Sequence, residues 1–187
     1  MTTDHGRRVL ILNASVVIEL IEMDLIEALA LYKQRKNLGL LVPRQVEEEL
    51  DERTQNVLQN LVREGLLELC APPEELFRQL RNVYLGLGDG ELGVLALTLH
   101  LRNAGVNAIP VLDDRRARRI AERDLNLAPH GTVWLVKQMA ETSSLSKSRA
   151  VSIIRSLRSR GFYITDDIVE AIVNQLMGAG EETPISP

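Results

Sequence analysis

The chain has 187 residues, of which 45% are hydrophobic and 3% are aromatic, and its formal net charge is −4 at pH 7. This length is sufficient for one domain with a sizeable buried core and is marginal for two domains. The few aromatic residues argue against a surface that binds nucleic-acid bases by stacking, and the negative charge argues against non-specific coating of nucleic acid. A nuclease remains open, because a local basic patch is sufficient for substrate binding.

Cysteine usage and hydropathy exclude further classes of protein. Cys70 is the only cysteine, so no disulfide can form within the chain and a thiolate-rich zinc site is excluded. The sequence has no apolar run of about 18 residues and no charged-then-apolar leader. We therefore expect a cytoplasmic protein without membrane contact.

Apolar runs and helical periodicity alternate along the chain. Strands are predicted at 9–12, 38–42, 66–69 and 107–112, with a very short fifth strand at 127–128. Pro110 weakens the fourth strand, because proline cannot donate to a central ladder. Helices are predicted at 24–36 (with Leu25, Leu29 and Leu31 on its apolar side), 45–63, 74–85, 91–102, 115–123, 131–140, 146–160 and 165–177.

This alternation predicts an α/β fold in three layers, in which a central parallel sheet of four to five strands lies between helices, with further helices at the C-terminus. A Ser-rich stretch at 142–148 marks the boundary between the two parts. We expect one domain over 1–141, a C-terminal helical extension over 142–180 packed on the same domain, and a disordered tail over 181–187. Thr165 is the expected N-cap of the last helix, with Asp166 and Asp167 in its first turn.

Acidic or amide side chains stand at three predicted junctions before helices and in one early helix turn. They are Asn13, Glu49, Asp89 with Glu91, and Asp113 with Asp114. Ligands of open α/β sheets bind beyond the carboxyl ends of the strands. Carboxylates gathered there repel one another unless they hold a divalent cation or take up protons. The pattern is therefore typical of a nuclease, although Asn13 stands where such a site favours Asp.

Each of these residues also has a purely structural interpretation. Asn13 is a favourable helix N-cap, and Glu49 could be a solvated charge beside Glu47 and Glu48. Asp89 and Glu91 could be a cap and a first-turn acid. The adjacent pair Asp113 and Asp114 is the sharpest signal, because two neighbouring acids at a strand end repel each other.

Other enzyme classes find no support in the sequence. The glycines at 86, 88 and 90 lack the Gly-Lys-Ser/Thr ending of a phosphate loop. There is no His-Glu-x-x-His or Gly-x-Ser-x-Gly motif, and the three histidines are scattered. A zinc hydrolase or serine hydrolase is therefore not expected.

Two basic runs are candidates for a phosphate-binding surface. Arg115, Arg116, Arg118 and Arg119 directly follow the acid pair. Guanidinium groups at this position suit a phosphodiester substrate, but they could equally form a solvated face paired with Glu122 and Asp124. The second run could contact RNA, a partner protein or only water; it comprises Lys147, Arg149, Arg155, Arg158 and Arg160.

The order of these motifs resembles that of PIN-domain proteins, a ribonuclease fold found in prokaryotic toxin–antitoxin modules. The similar segments cover nearly the whole chain: Leu-Ile-Leu-Asn13-Ala-Ser15, Val-Pro43-x-x-Val-x-x-Glu49-Leu, Gly90-Glu91 before an Ala/Leu-rich helix, Val-Leu-Asp113-Asp114-Arg-x-Ala-Arg118, Gly131-Thr132-Val-Trp-Leu, and a C-terminal extension that contains Ser-Leu-Arg-Ser-Arg-Gly161-Phe-Tyr-Ile164. Each motif is short, and their common order carries the resemblance.

The resemblance implies Mg²⁺ or Mn²⁺ bound by Asn13, Glu91, Asp113 and Asp114, with catalysis by Glu49, Glu91, Asp113 and Asp114. It also implies single-stranded RNA as substrate, with Arg115, Arg116, Arg118 and Arg119 as its binding residues, and an antitoxin or a second copy of the chain as partner. Asn13 stands where the family has Asp, which lowers the charge of the site. Three hypotheses follow: an active endoribonuclease, a degenerate PIN-like protein that binds RNA or a partner, and a generic α/β binding protein whose acids are helix caps.

Overall fold

A computed structural model describes residues 7–162 and 164–178. The chain divides into two compact units, Met1–Thr132 and Val133–Pro187. The predicted tail at 181–187 and the end of the predicted extension at 179–180 lie outside the described residues. The expected domain boundary after residue 141 and the packing of the extension stay predictions.

The first unit is built on a four-stranded parallel sheet. Its strands are β1 (Arg8–Leu12), β2 (Gly39–Pro43), β3 (Glu68–Cys70) and β4 (Asn107–Val111), in the order β3-β2-β1-β4. Every residue of β2 and the last three of β1 are buried. Such continuous apolar runs are expected of parallel strands that are covered on both faces. The predicted α/β class with a parallel sheet is confirmed.

The helices of this unit flank the sheet. They are α1 (Ala14–Glu22), α2 (Ile26–Lys36), α3 (Arg44–Glu49), α4 (Glu52–Arg63), α5 (Glu74–Val83), α6 (Asp89–Asn103) and α7 (Arg115–Arg123). The connections from β1 to β2 and from β2 to β3 cross the sheet in one direction, whereas the connection from β3 to β4 returns in the other. Right-handed crossovers therefore place α1, α2 and α4 on one face and α5–α6 on the other. The short helix α3, which directly follows β2, contacts α6. Helix α6 contacts β1, β2 and β4.

Two predicted helices differ in detail from the structure. The segment before β2 contains α1 and α2, separated by Asp24 in the left-handed region at φ 54°. Leu31 is 43% exposed, because Leu25, Leu29 and Tyr32 follow the helical spacing toward the core. The predicted helix 45–63 is split into α3 and α4. Asp51 begins α4 by accepting a 2.7 Å hydrogen bond from the Thr54 N–H.

The edge beyond β4 also differs from the prediction. The expected fifth strand at 127–128 is not formed, because the Leu127 N–H donates to Ala121 O at the end of α7. His130 instead makes a single parallel bridge to Val111. Pro110 is accommodated in β4 because its nitrogen faces this edge and not β1: the His130 N–H donates to Pro110 O, and the Asn13 N–H donates to Val111 O.

The second unit is helical. Helix α8 (Thr132–Glu141) begins at the last residue of the first unit, and α9 (Lys147–Ser159) and α10 (Asp166–Gly178) follow. The expected cap at Thr165 is present, since its Oγ1 accepts a 3.4 Å hydrogen bond from the Ile168 N–H. No helix in the described ranges is long and apolar enough to cross a bilayer.

The second basic run is partly accounted for by ion pairs between α9 and α10. Arg155 lies 3.8 Å from Glu170, and Arg158 lies 3.0 Å from Asp166. Two cations of this run are therefore already partnered within the chain.

Candidate functional site

The carboxyl ends of β1, β2 and β4 meet at one edge of the sheet, here called the carboxyl edge. Asn13 directly follows β1, and α3, which ends with Glu49, follows β2. After β4, a single residue, Leu112, precedes Asp113 and Asp114. Parallel register between these strands brings the three chain segments out at the same edge. The candidate residues of the sequence pattern therefore emerge on the side of the sheet where ligands bind in open α/β folds.

Asn13 occupies the N-cap position of α1 but does not act as a cap. Its backbone is extended, yet its side chain makes no capping hydrogen bond. The side chain is buried, at 6% exposure, and its Oδ1 has no hydrogen-bond partner among the described residues. A buried carbonyl oxygen without a partner costs free energy. The capping interpretation of this side chain is therefore unsupported, and its oxygen is available to a ligand.

Asp113 is held by three protein donors. Thr132 donates its backbone N–H to Oδ1 and its hydroxyl to Oδ2, both at 2.7 Å, and the Ser15 hydroxyl lies 3.2 Å from Oδ2. A side chain at Gly131 would place its Cβ 2.8 Å from Asp113 Oδ1, so the absence of a side chain there allows the approach. Sequence reasoning did not assign Ser15 and Thr132 to the site, although both stand in the motifs that carry the family resemblance.

Asp114 has a different role from its neighbour. Its Oδ1 accepts a 2.7 Å hydrogen bond from the Ala117 N–H, and it is thus the N-cap of α7. The adjacent acids diverge, since one carboxylate caps a helix while the other receives donors from α8 and α1.

Two glutamates meet at the start of α6. Glu49, the last residue of α3, accepts a 2.7 Å hydrogen bond from the Gly90 N–H through Oε1. Glu91 accepts a 2.9 Å hydrogen bond from the Gly88 N–H through Oε2. Asp89 lies 3.4 Å from Arg81, so it forms an exposed ion pair with α5.

The electrostatics of Glu91 link three of the candidate acids. Burial raises the pKa of the Glu91 carboxyl, and the negative charges of Asp114 and Glu49 raise it further. The Gly88 hydrogen bond and the positive charge of Arg116 act in the opposite direction. Glu91 is therefore near enough to Asp114 and to Glu49 to be repelled by both carboxylates, which is the repulsion that a cation would relieve.

The carboxyl edge thus holds two groups of candidate residues. Asn13 and Asp113 belong to the first, with Ser15 and Thr132; Glu49, Glu91 and Asp114 form the second. Across residues 7–162 and 164–178, no three His, Cys, Asp or Glu side chains lie close enough to bind one metal ion directly.

The arginines of α7 do not form one uniform surface. Arg116 donates to Leu85 O at 2.6 Å and to Gly86 O at 3.3 Å, and so anchors the loop before α6. Arg118 lies beside residues 130 and 131: the pKa of the His130 imidazole is lowered first by burial and then by the charge of Arg118. Arg115 and Arg119 are exposed.

The alternative pairing of these arginines with acids of their own helix finds little support. Within the described part of the chain, neither Arg118 nor Arg119 forms an ion pair with Glu122 or Asp124. Asp124 instead lies near Tyr84, where burial first and then the Asp124 charge raise the pKa of the phenol. The charges of Arg118 and Arg119 are therefore not neutralised within α7.

Comparison with known proteins gives a consistent result. A family model described as a PIN domain matches residues 9–178, and so spans nearly the whole chain. No curated protein matches the chain.

Proposed function

Because the chain belongs to the PIN-domain family, a family of nuclease-like proteins, we propose that it is a metal-dependent endoribonuclease that hydrolyses phosphodiester bonds in single-stranded RNA. The observation that carries this proposal is the buried Oδ1 of Asn13, which lacks a partner among the described residues at the end of β1. The negative charges gathered around Glu91 support it independently.

The side-chain atoms that could bind a metal at the carboxyl edge fit a hydrated Mg²⁺ or Mn²⁺. All of them are oxygens, which hard divalent cations prefer, and Mg²⁺ commonly keeps several waters while binding one or two carboxylates. A partly hydrated ion therefore needs no group of three acids. Asn13, Glu91, Asp113 and Asp114 would hold it, some of them directly and the others through its bound waters. A cation bound there supplies Lewis acidity, which lowers the pKa of a bound water and stabilises charge on the phosphate.

The protein side chains divide the remaining work. Glu49 is exposed and uses only Oε1 to bond Gly90, so Oε2 is available to accept a proton from the attacking water. The hydrogen bonds from Ser15 and Thr132 hold the Asp113 carboxylate in a fixed orientation. The guanidinium groups of α7 provide positive charge for an incoming phosphate backbone.

A second candidate function is a degenerate PIN-like module that binds RNA or a protein without cleaving it. The three protein donors on Asp113 favour this alternative, because they satisfy that carboxylate without a cation. The neutral amide of Asn13 also removes one negative charge from the site.

Metal binding and RNA cleavage discriminate between these functions. We expect the protein to bind Mn²⁺ in a calorimetric titration and to cleave a fluorescent single-stranded RNA in Mn²⁺ but not in EDTA. Glu91→Gln should reduce cleavage at least about tenfold, since the amide keeps the Gly88 bond but loses the charge. Asp89→Asn is the matched control, because Asp89 pairs with Arg81 and should be dispensable. If the protein binds RNA but neither cleaves it nor binds Mn²⁺, the degenerate module is favoured. If it neither binds nor cleaves RNA, a generic binding protein is favoured.

The role of a toxin restrained by an antitoxin protein is supported by the motif resemblance. Growth arrest on induced expression, relieved by Glu91→Gln and by co-expression of a small protein encoded beside the gene, tests this part of the proposal.

A further inference from the structure

Among the residues that the structure describes, a single hydrogen bond holds the carboxylate of Glu49. Glu49 is the last residue of α3 and its side chain is exposed. Among the described contacts, the 2.7 Å bond from the Gly90 N–H to Oε1 is the one that holds its carboxylate. A glutamate at a helix end has several accessible rotamers, so its position depends on this bond.

The carboxylate occupies the space that a side chain at position 90 would need. A Cβ added to Gly90 would lie 2.8 Å from Glu49 Cδ and 3.0 Å from Glu49 Oε1. These distances are shorter than van der Waals contact, so the carboxylate would have to leave. Glycine has a lower helix propensity than alanine, and the close approach of Glu49 gives a physical reason for glycine at this position.

The Gly90 N–H can bind Glu49 because it has no acceptor within its own helix. Gly90 is the second residue of α6, and the first four N–H groups of a helix have no partner within the helix. The bond to Glu49 satisfies one of these donors. The positive end of the helix dipole favours a carboxylate at the same place.

We propose that Gly90 is a positioning residue for Glu49: its backbone amide binds the Glu49 carboxylate and its missing side chain leaves room for it, so that together they fix the carboxylate at the carboxyl edge. The inference rests on the proposed function, since it assigns Gly90 to the site through which that reaction would pass.

Gly93 provides a matched control on the same helix. A Cβ at Gly93 would meet Gln45 Oε1 at 3.0 Å and Pro43 Cβ at 3.1 Å, and none of its three nearest atoms belongs to Glu49. Gly93→Ala therefore brings the same gain in helix propensity and a comparable local crowding without displacing the carboxylate.

Amide hydrogen exchange tests the hydrogen bond between Gly90 and Glu49 without any metal or RNA. We expect Glu49→Ala to accelerate exchange of the Gly90 amide about tenfold, because that donor loses its acceptor. Glu49→Gln keeps an acceptor oxygen and should have a smaller effect, and the amides of Val94 and Leu95 should be unchanged in both variants. Unchanged exchange at Gly90 in Glu49→Ala would overturn the proposal.

RNA cleavage tests the consequence for the site. A positioned general base typically contributes about 10²–10⁴-fold to a rate, and Gly90→Ala should reduce cleavage in Mn²⁺ at least about tenfold relative to Gly93→Ala, because it displaces the Glu49 carboxylate. Equal cleavage rates of the two variants would overturn the positioning role. If the unmodified protein does not cleave RNA, the proposed function fails, and the exchange measurement alone decides whether Gly90 positions Glu49.

Discussion

Asn13 and Asp113 follow neighbouring parallel strands and are satisfied in opposite ways. Asp113 receives three donors, from Thr132 twice and from Ser15. The Asn13 oxygen receives none from the described residues, although the side chain is buried. The Asp113 carboxylate therefore has protein donors, whereas the Asn13 oxygen has none among the described residues, and the chemistry of the carboxyl edge depends on which ligand this oxygen takes.

Replacing Asn13 by Asp should raise Mn²⁺ affinity about tenfold, since each added ligand charge strengthens divalent-cation binding. Without metal, the same variant should have a lower Tm than the unmodified protein, because a buried carboxylate without a partner is costly. Calorimetry and thermal unfolding with and without Mn²⁺ measure both effects. A variant that binds Mn²⁺ no better, and whose Tm does not recover with Mn²⁺, would show that Asn13 lies outside the metal site.

Thr132→Val should destabilise the protein by about 1.5–3 kcal/mol, the range typical of a hydrogen bond to a charged group. The valine keeps the shape of the fully buried threonine but removes the hydroxyl that bonds Asp113. Ser15→Ala serves as comparison and should cost less, because its bond to Asp113 is 3.2 Å long. Urea denaturation gives the two free energies of unfolding. An equal cost for both substitutions would contradict the dominant role assigned to Thr132.

At the scale of elements, acidic side chains from two helices, α6 and α3, lie at the start of α6. Asp89 and Glu91 lie in its first turn, and α3 contributes Glu49. The helix dipole favours acids there, yet the pKa of Glu91 is raised, with burial as the largest cause. The burial of Glu91 therefore outweighs the local preference of the helix end.

Stability should depend on pH through Glu91. Its folded-state pKa lies above the ordinary value of 4.5, so ionisation costs stability as pH rises through and above that value, and the cost disappears at lower pH. Glu91→Gln should therefore be more stable relative to the unmodified protein at pH 7 than at pH 4. Urea unfolding across this range in metal-free buffer measures the difference. A constant difference, or one that grows toward acid pH, would contradict this assignment.

At the scale of the whole molecule, a net charge of −4 must be reconciled with a polyanionic substrate. Two arginines of α9 are paired with acids of α10, and Arg116 is bound to backbone carbonyls. The remaining arginines of α7 follow directly after the acid pair, and they are the residues that we expect to contact phosphates at the carboxyl edge.

The double substitution of Arg115 and Arg118 by Ala should weaken RNA binding across sequences. It should also flatten the salt dependence, by about one unit of log–log slope for each phosphate that the variant no longer binds. The control with the same change in charge replaces Lys36 and Arg63, which end α2 and α4 shortly before β2 and β3, at the opposite edge of the sheet. Fluorescence anisotropy at several salt concentrations gives the slopes. Equal slopes for both double variants would exclude a specific role for α7.

The sequence by itself determined the class of fold and the edge at which the candidate residues emerge. Short apolar runs alternating with helical periodicity require parallel strands, and parallel strands bring Asn13, Glu49 and Asp113 out on one side. These conclusions follow from local patterns, because strand and helix formation depend largely on neighbouring residues. The resemblance to the PIN family came from the order of the same short motifs.

Only the tertiary structure decided how each side chain is used. Ser15 reaches Asp113 across 98 positions of sequence, and Gly90 reaches Glu49 across 41. Leu31 is exposed and the predicted helix 45–63 is split, although the local pattern favoured a continuous helix with Leu31 inside. Local periodicity carries no information about the partner that a helix meets after the chain has crossed the sheet. Hydrogen-bond partners, burial and the resulting shift of the Glu91 pKa depend on that packing alone.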